Sequence, residues 1–184
     1  MSFDYFQVQE LLEHGTGDKR WKEYFRFRRA LYQPYAAKNL QPNLVSEANW
    51  LLRSQYASAS EIGIFVDVGD ICYIDFGQAY LNEAGYQHFG IIMAKCRGKV
   101  LVIPMSSNVA QYRNAFDDKK NPTGKMHLMQ LEGQEGLIKP SVLFLNDLKY
   151  INSARVIDVK GHMDPNGDTF KEIQRRMFII LNQS

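Results

Sequence analysis

Cysteine, proline and tryptophan are scarce: two, six and two residues in a chain of 184. Two cysteines cannot make a disulfide-stapled scaffold, and Cys72 and Cys96 lack metal-ligand spacing. Both lie in strand-like apolar runs and are expected as reduced thiols in the core. No apolar run approaches the ~20 residues that cross a bilayer. The opening MSFDYFQVQELLEHG has acids where a signal peptide has basic residues, and it has no apolar h-region. The expectation is a cytoplasmic protein with no membrane partner. Internal repeats and low-complexity tracts are lacking too, which leaves no basis for a repeat architecture. What remains is ordinary globular composition, 45% hydrophobic and 23% charged. The length suits one domain with an elaboration, or a tightly joined pair.

The net charge of +2 is unevenly spread. Residues 61–184 hold 14 basic and 14 acidic side chains, whereas residues 1–60 hold eight and six. Six of those eight, Lys19, Arg20, Lys22, Arg26, Arg28 and Arg29, share one segment with Trp21, Tyr24, Phe25 and Phe27. Two readings stand. Cations interleaved with aromatics suit nucleic acid, where charge meets phosphate and rings stack on bases. Alternatively, Trp21, Tyr24, Phe25 and Arg28 recur at i, i+3, i+4 and i+7 as a core-facing helical stripe, with Arg28 snorkelling.

The pattern changes near residue 60, which divides the chain into a helical N-terminal extension, 1–60, and a second domain, 61–184. Residues 4–13, with Phe6, Leu11 and Leu12, read as a short helix ended by Gly15 and Gly17. Asp18 is expected to cap a helix running to about Tyr32, before Pro34, and Ser46 to cap a third. Gln33–Asn43 and Ala57–Ser60 read as connectors. Beyond residue 60 the period shortens. Asp70–Phe76, His88–Lys95, Lys99–Ile103, Lys125–Leu131, Ser141–Leu145 and Ala154–Val159 have strand composition, and Arg97-Gly98 signals a hairpin. After Asp164-Pro165-Asn166-Gly167-Asp168, helical spacing returns at Phe170, Ile173, Met177, Ile180 and Leu181, with Asp168 as the cap. Five or six short strands and a closing helix give an α+β fold around a small, strongly bent antiparallel sheet of SH3-like size.

Gly69–Phe76, Asn82–Gly85, His88–Met93, Val102–Ser107, Ser141–Ile151, Arg155-Val156 and Gly161–Met163 follow one another in an order that resembles the MazF/PemK-type toxins. Gly69–Phe76 (GDICYIDF) resembles the family's opening G-D-I-x-x-V-D-F strand. Asn82-Glu83-Ala84-Gly85 is similar to its acidic, glycine-containing loop, and His88–Met93 stands where the family has R-P-x-V-V-L. Val102–Ser107 (VIPMSS) resembles the third strand's end. Ser141–Ile151 (SVLFLNDLKYI) resembles S-x-V-L-x-D-Q-I-R-T-I. Arg155-Val156 matches R-L, and Gly161-His162-Met163 before a helix matches G-x-L. The resemblance implies a MazF/PemK/CcdB-like barrel with a C-terminal helix. Residues 1–60 have no counterpart in it.

Such a toxin is implied to cut single-stranded RNA without a metal or other cofactor. The substrate's 2′-OH attacks, leaving a 2′,3′-cyclic phosphate. The protein supplies a base, an acid and donors to the phosphoryl oxygens. Carried over residue by residue, the family's Arg and Thr become His88 and Ser106, with Ser107 beside it. Ser106 keeps a hydroxyl. His88 replaces a permanent, forked cation with an imidazole, a better general acid or base but a weaker phosphate clamp. Either His88 takes over proton transfer, or strong activity is lost, or this histidine only hydrogen-bonds locally. Substrate contacts are implied for Glu83 and Gln87, on the loop after the first strand, with Glu83 either orienting His88 or solvated. They are implied also for Asn146, Asp147 and Lys149. Arg113, Lys119, Lys120 and Lys125 form a basic loop that either lines an RNA groove or is merely solvated. Asp75 and Phe76 read as strand-end structure, and His127 and His162 as packed or surface histidines.

The resemblance implies a toxin that forms a homodimer and is held by a small antitoxin protein. A non-catalytic RNA- or protein-binding module is the alternative, with gyrase poisoning a third reading. The extension either widens the RNA surface or packs on the barrel and partly covers the site.

Overall fold

The computed structural model describes residues 17–35 and 37–182, with backbone alone at 37–39. The short helix expected at 4–13 lies outside the described residues. The chain forms two compact units, residues 1–41 and 42–184. Residues 42–60, expected with the extension, belong to the second unit.

In the first unit, helix α1 spans Gly17–Tyr32. None of its residues is buried. Trp21, Tyr24 and Phe25 are exposed by 59%, 51% and 54%, so the core-facing stripe is not realised. These three rings cover one another instead. Trp21 stacks on Phe25 at 5.6 Å between centroids, and Tyr24 meets both rings at 5.9 Å.

Helix α2, Ala37–Arg53, starts well before Ser46, which is therefore interior and not a cap. Its part in the second unit is amphipathic in an inverted sense. Asn43 and Ser46 are buried, whereas Leu44, Val45, Leu51 and Leu52 are exposed. Seven antiparallel strands follow among the described residues: β1 Asp70–Asp75, β2 Gln87–Cys96, β3 Lys99–Ser106, β4 Leu128–Leu131, β5 Ser141–Phe144, β6 Lys149–Asn152 and β7 Val156–His162. Short helix α3, Val109–Arg113, follows β3, and α4, Asp168–Leu181, closes the chain.

The sheet order is β4-β5-β3-β2-β1-β7, and β6 also pairs with β3. One edge of β3 thus serves two partners, Met105 and Ser106 joining β5 while Lys99–Val102 join β6. This sharing bends the sheet. A register shift between Ile92 and Ala94 bends β2 as well. Strand alternation then sorts the core into two faces. Ile71, Ile91 and Ile103 point to one, with Met105, Leu143 and the α4 residues Phe170 and Ile173. Cys72, Ile74, Ile92, Val102 and Val156 form the other. Arg176 ties α4 to the sheet. Its guanidinium donates to Met126 O and Leu128 O at 2.9 and 3.0 Å and lies over the Phe116 ring. Among the described residues no helix is long and apolar enough to cross a membrane.

One polar cluster fixes α2 to the sheet. Asp75, at the end of β1, is 3% exposed. Its Oδ1 accepts from Ser46 Oγ at 2.8 Å and Gly77 N–H at 2.9 Å. Its Oδ2 accepts from Asn49 Nδ2 at 2.6 Å and Gln87 Nε2 at 3.1 Å. Burial pushes this carboxyl up, but the donors Asn49, Ser46, Gly77 and Gln87 together hold it below the usual carboxylate range. Further along, Arg53 Nη1 donates to Ala154 O and Val156 O at 3.1 and 2.7 Å. The Asn152 side chain donates to Tyr56 O, and Ala59 N–H to Ser153 Oγ.

Asp75→Ala strands these donors and is expected to cost about 3 kcal/mol in denaturant unfolding. Because the folded-state pKa is depressed, the charged carboxylate stabilises above the unfolded value near ~3.9. That contribution fades as pH falls from there through the lower folded value. Wild-type stability should decline across that acid window more steeply than that of Asp75→Ala. Truncation separates the two roles of the N-terminal residues. A chain beginning at Pro42, which suits a first helical position, should fold with near-native cooperativity. One beginning at Glu61 should lose solubility or cooperative unfolding.

Candidate active site

β1 ends, β2 begins and β3 ends at one margin of the sheet. Phe89 pairs with Met105, so the next step along the two antiparallel strands sets His88 opposite Ser106. On its other side His88 pairs with Ile74. Strand alternation puts His88 on the face that carries Ile92, and Ser106 on the face that carries Val102. These two faces are one.

The loop 76–86 between β1 and β2 is pinned at its base. Phe76 N–H donates to Tyr86 O at 2.7 Å, and Tyr86 N–H donates to Gly77 O at 2.6 Å. Asn82 and Tyr86 hold φ values of 71° and 56°, a region non-glycine residues seldom occupy. Gly85 is buried, and a Cβ there would come 2.5 Å from Ala79 Cβ, so only glycine fits. The Gly85 carbonyl accepts from His88 Nδ1 at 2.6 Å. A carbonyl only accepts, so Nδ1 carries a hydrogen. In the neutral ring the lone pair is then on Nε2, the nitrogen of a general base.

Ser106 Oγ accepts from Asn108 N–H at 3.2 Å, which leaves its own hydrogen free to donate elsewhere. Ser107 is exposed. The Asn108 side chain caps α3, accepting from Ala110 and Gln111 N–H.

A third wall comes from the segment between β5 and β6. Asp147 accepts from Ala84 N–H of the loop and pairs with Lys149 Nζ at 2.8 Å. Lys149 also lies 5.8 Å from the Phe76 ring centroid. His88, Gly85, Ala84, Asp147, Lys149 and Phe76 are therefore joined in one continuous run. Asn146 is exposed in the same segment.

The other expected residues are placed differently. Glu83 Oε2 accepts from Tyr80 N–H within the loop at 3.3 Å, and the group that orients His88 is the Gly85 carbonyl. Gln87 donates to Asp75 and to Pro42 O, so its side chain serves the polar cluster under α2. Arg113, Lys119, Lys120 and Lys125 are exposed. Asp117 Oδ1 accepts from the Lys119 and Lys120 N–H groups, and these two bonds lower its carboxyl. Phe116 of that loop meets Arg176 of α4, so the basic loop is joined to the closing helix. His127 is half-buried, and burial, then Lys125, lowers its imidazole. His162 is exposed and meets Asp70 Oδ1 at 2.8 Å. Cys72 is a core thiol, pushed up to about 12 by burial and then by Asp70 and Asp158. Cys96, expected in the core, is exposed at the β2–β3 turn.

Arg155 received no role from the sequence. Its Nη1 donates to Asp75 O at 3.3 Å, and a Cβ on Gly77 would sit 2.9 Å from the same atom. The guanidinium thus supports the base of the loop. The Arg155-Val156 motif marked the position, but no sequence signal gives that hydrogen bond.

No family model and no curated protein matches the chain. Solved structures do. MazF (form I) from Deinococcus radiodurans has a TM-score of 0.49 and 13% identity, over 65% of this chain and 99% of that one. The Mycobacterium tuberculosis toxin MazF-mt6 has a TM-score of 0.44 and 12% identity, over 62% and 98%. An endoribonuclease in complex with its cognate antitoxin, from a mycobacterial species, has a TM-score of 0.44 and 10% identity, over 65% and 98%. Each similarity covers nearly the whole of the other chain and about two thirds of this one.

Proposed function

We propose that the protein is an endoribonuclease that cleaves single-stranded RNA by attack of the RNA's own 2′-OH, as the toxin of a toxin–antitoxin pair. The observation that carries this reading is the Gly85–His88 hydrogen bond, which leaves Nε2 as the basic nitrogen at the margin where Ser106 stands opposite. The ordered motifs from Gly69 to Leu181 support it. His88 Nε2 takes the 2′-OH proton as the 2′-oxygen forms its bond to phosphorus. Ser106 donates to a non-bridging phosphoryl oxygen as negative charge builds there. The bond from phosphorus to the 5′-oxygen breaks, and that oxygen takes up a proton from water, leaving a cyclic phosphate and a 5′-OH, while His88 gives its gained proton back to solvent. Asp147 and Lys149 line the same margin, where Lys149 meets the phosphate backbone. Glu83 and Asn146 are exposed beside it, within reach of bases. Ser107 and Arg113 extend the surface beyond Ser106, with Lys119 and Lys120 further along the chain. A homodimer and a small antitoxin are the partners this reading carries.

His88→Ala should lower the RNA cleavage rate by roughly 10²- to 10⁴-fold and relieve growth arrest on expression. Added imidazole should restore part of the rate, which no purely structural role would allow. Ser106→Ala should lower the rate by a smaller factor while leaving unfolding unchanged. Full cleavage by His88→Ala would contradict the assignment. The second reading, a binding module without cleavage, is favoured by one observation: the position of the family's arginine holds His88, which lacks the guanidinium's two-pronged grip on phosphate. Gel shifts of intact RNA by wild-type protein, with no fragments, would select it.

A further inference from the structure

The whole net charge of the protein resides in its first unit. Residues 42–184 hold 15 basic and 15 acidic side chains, so the unit that carries the candidate site is neutral overall. Helix α1 concentrates six cations against Asp18 and Glu23 in 16 residues. Glu23 is taken up by Arg26 at 2.8 Å, and among the described residues no carboxylate is paired with Lys19, Lys22 or Arg29. Trp21, Tyr24 and Phe25 are each more than half exposed and form one contiguous aromatic surface. By helical spacing, Lys22 and Arg29 flank this surface on one side and Arg20 on the other.

We infer that α1 binds single-stranded nucleic acid and supplies the sequence-independent share of the protein's affinity for RNA. That the natural ligand is RNA rests on the cleavage reading above. Binding to a polyanionic strand draws its strength from cations that displace condensed counterions. A neutral unit has no excess of them, and α1 has four. The rings supply the other half of a single-strand platform, since any unpaired base can stack on an exposed aromatic plane.

The test uses the full chain and a fluorescent 20-nucleotide oligothymidine, which has no 2′-OH and cannot be cut by the proposed chemistry. Anisotropy titrations over a range of salt give an affinity and a slope of log affinity against log salt. Each phosphate neutralised on a single strand adds roughly 0.7 to that slope, so the Lys19→Ala/Lys22→Ala/Arg29→Ala variant should flatten it by about 2. Trp21→Ala and Phe25→Ala should each weaken binding by at least about fivefold, without changing the slope. In a Trp50→Phe background, the remaining Trp21 emission should be quenched on binding. All these positions are exposed and alanine favours a helix, so circular dichroism should be unchanged. Unaltered affinity and slope in both sets would overturn the inference. So would binding of anionic lipid vesicles in place of the oligonucleotide, or a switch from dimer to monomer in Trp21→Ala at unchanged oligonucleotide affinity. Because the probe is uncleavable, a protein that binds it through α1 yet leaves RNA intact would refute the cleavage reading and leave this one standing.

Discussion

A carboxylate taken out of water without a cation must gather neutral donors, and Asp75 gathers four. The donors come from three separate places: Ser46 and Asn49 on α2, Gly77 at the start of the β1–β2 loop, and Gln87 at the start of β2. One buried side chain therefore fixes where the helix lies on the sheet, where the loop departs and where the second strand begins. The cost of burying the charge is met only if all three arrive together. This explains why α2 turns polar residues inward and leaves Leu44, Val45, Leu51 and Leu52 outside. The helix is held by hydrogen bonds to the sheet and by Arg53 on the carbonyls of Ala154 and Val156.

The candidate site inherits its geometry from this cluster. Gln87 is bound to Asp75, and its neighbour His88 is thereby set at the start of β2, just after the loop. The loop returns through Gly85, whose carbonyl meets the imidazole, and Asp147 holds the loop from the far side through Ala84. Arg155 supports its base. The proposed proton-transfer group thus stands on a strand, with its orienting partner on a loop tied at both ends. That is the kind of preorganisation catalysis requires. The excess of basic over acidic charge lies in the first unit, on α1.

Much of the second unit was legible because its strands are short and their periods clean. Asp70–Asp75, Lys99–Ser106 and Ser141–Phe144 begin where composition places them, and α4 follows the spacing of Phe170, Ile173 and Met177. The strand Lys149–Asn152 was not foreseen, because its four residues hold one buried side chain and no alternation. Ser46 read as a helix cap because a buried serine and a capping serine look alike in sequence; only the partner, 29 residues away, distinguishes them. The aromatic stripe of α1 has the spacing of a core face, and spacing does not say whether a core is present to receive it. At the site, His88 and Ser106 could be placed through motif order. The Gly85 carbonyl and the Arg155 hydrogen bond could not, because a backbone acceptor and a long-range donor leave no residue-type signature.

The central claim is that His88 works on an RNA whose own 2′-OH is the nucleophile. The most direct measurement is the end chemistry of fragments produced from a defined single-stranded RNA in the presence of EDTA, read by mass spectrometry. The account predicts 2′,3′-cyclic phosphate on one fragment and 5′-OH on the other. Fragments ending in 3′-OH and 5′-phosphate, or no fragments at all, would contradict it.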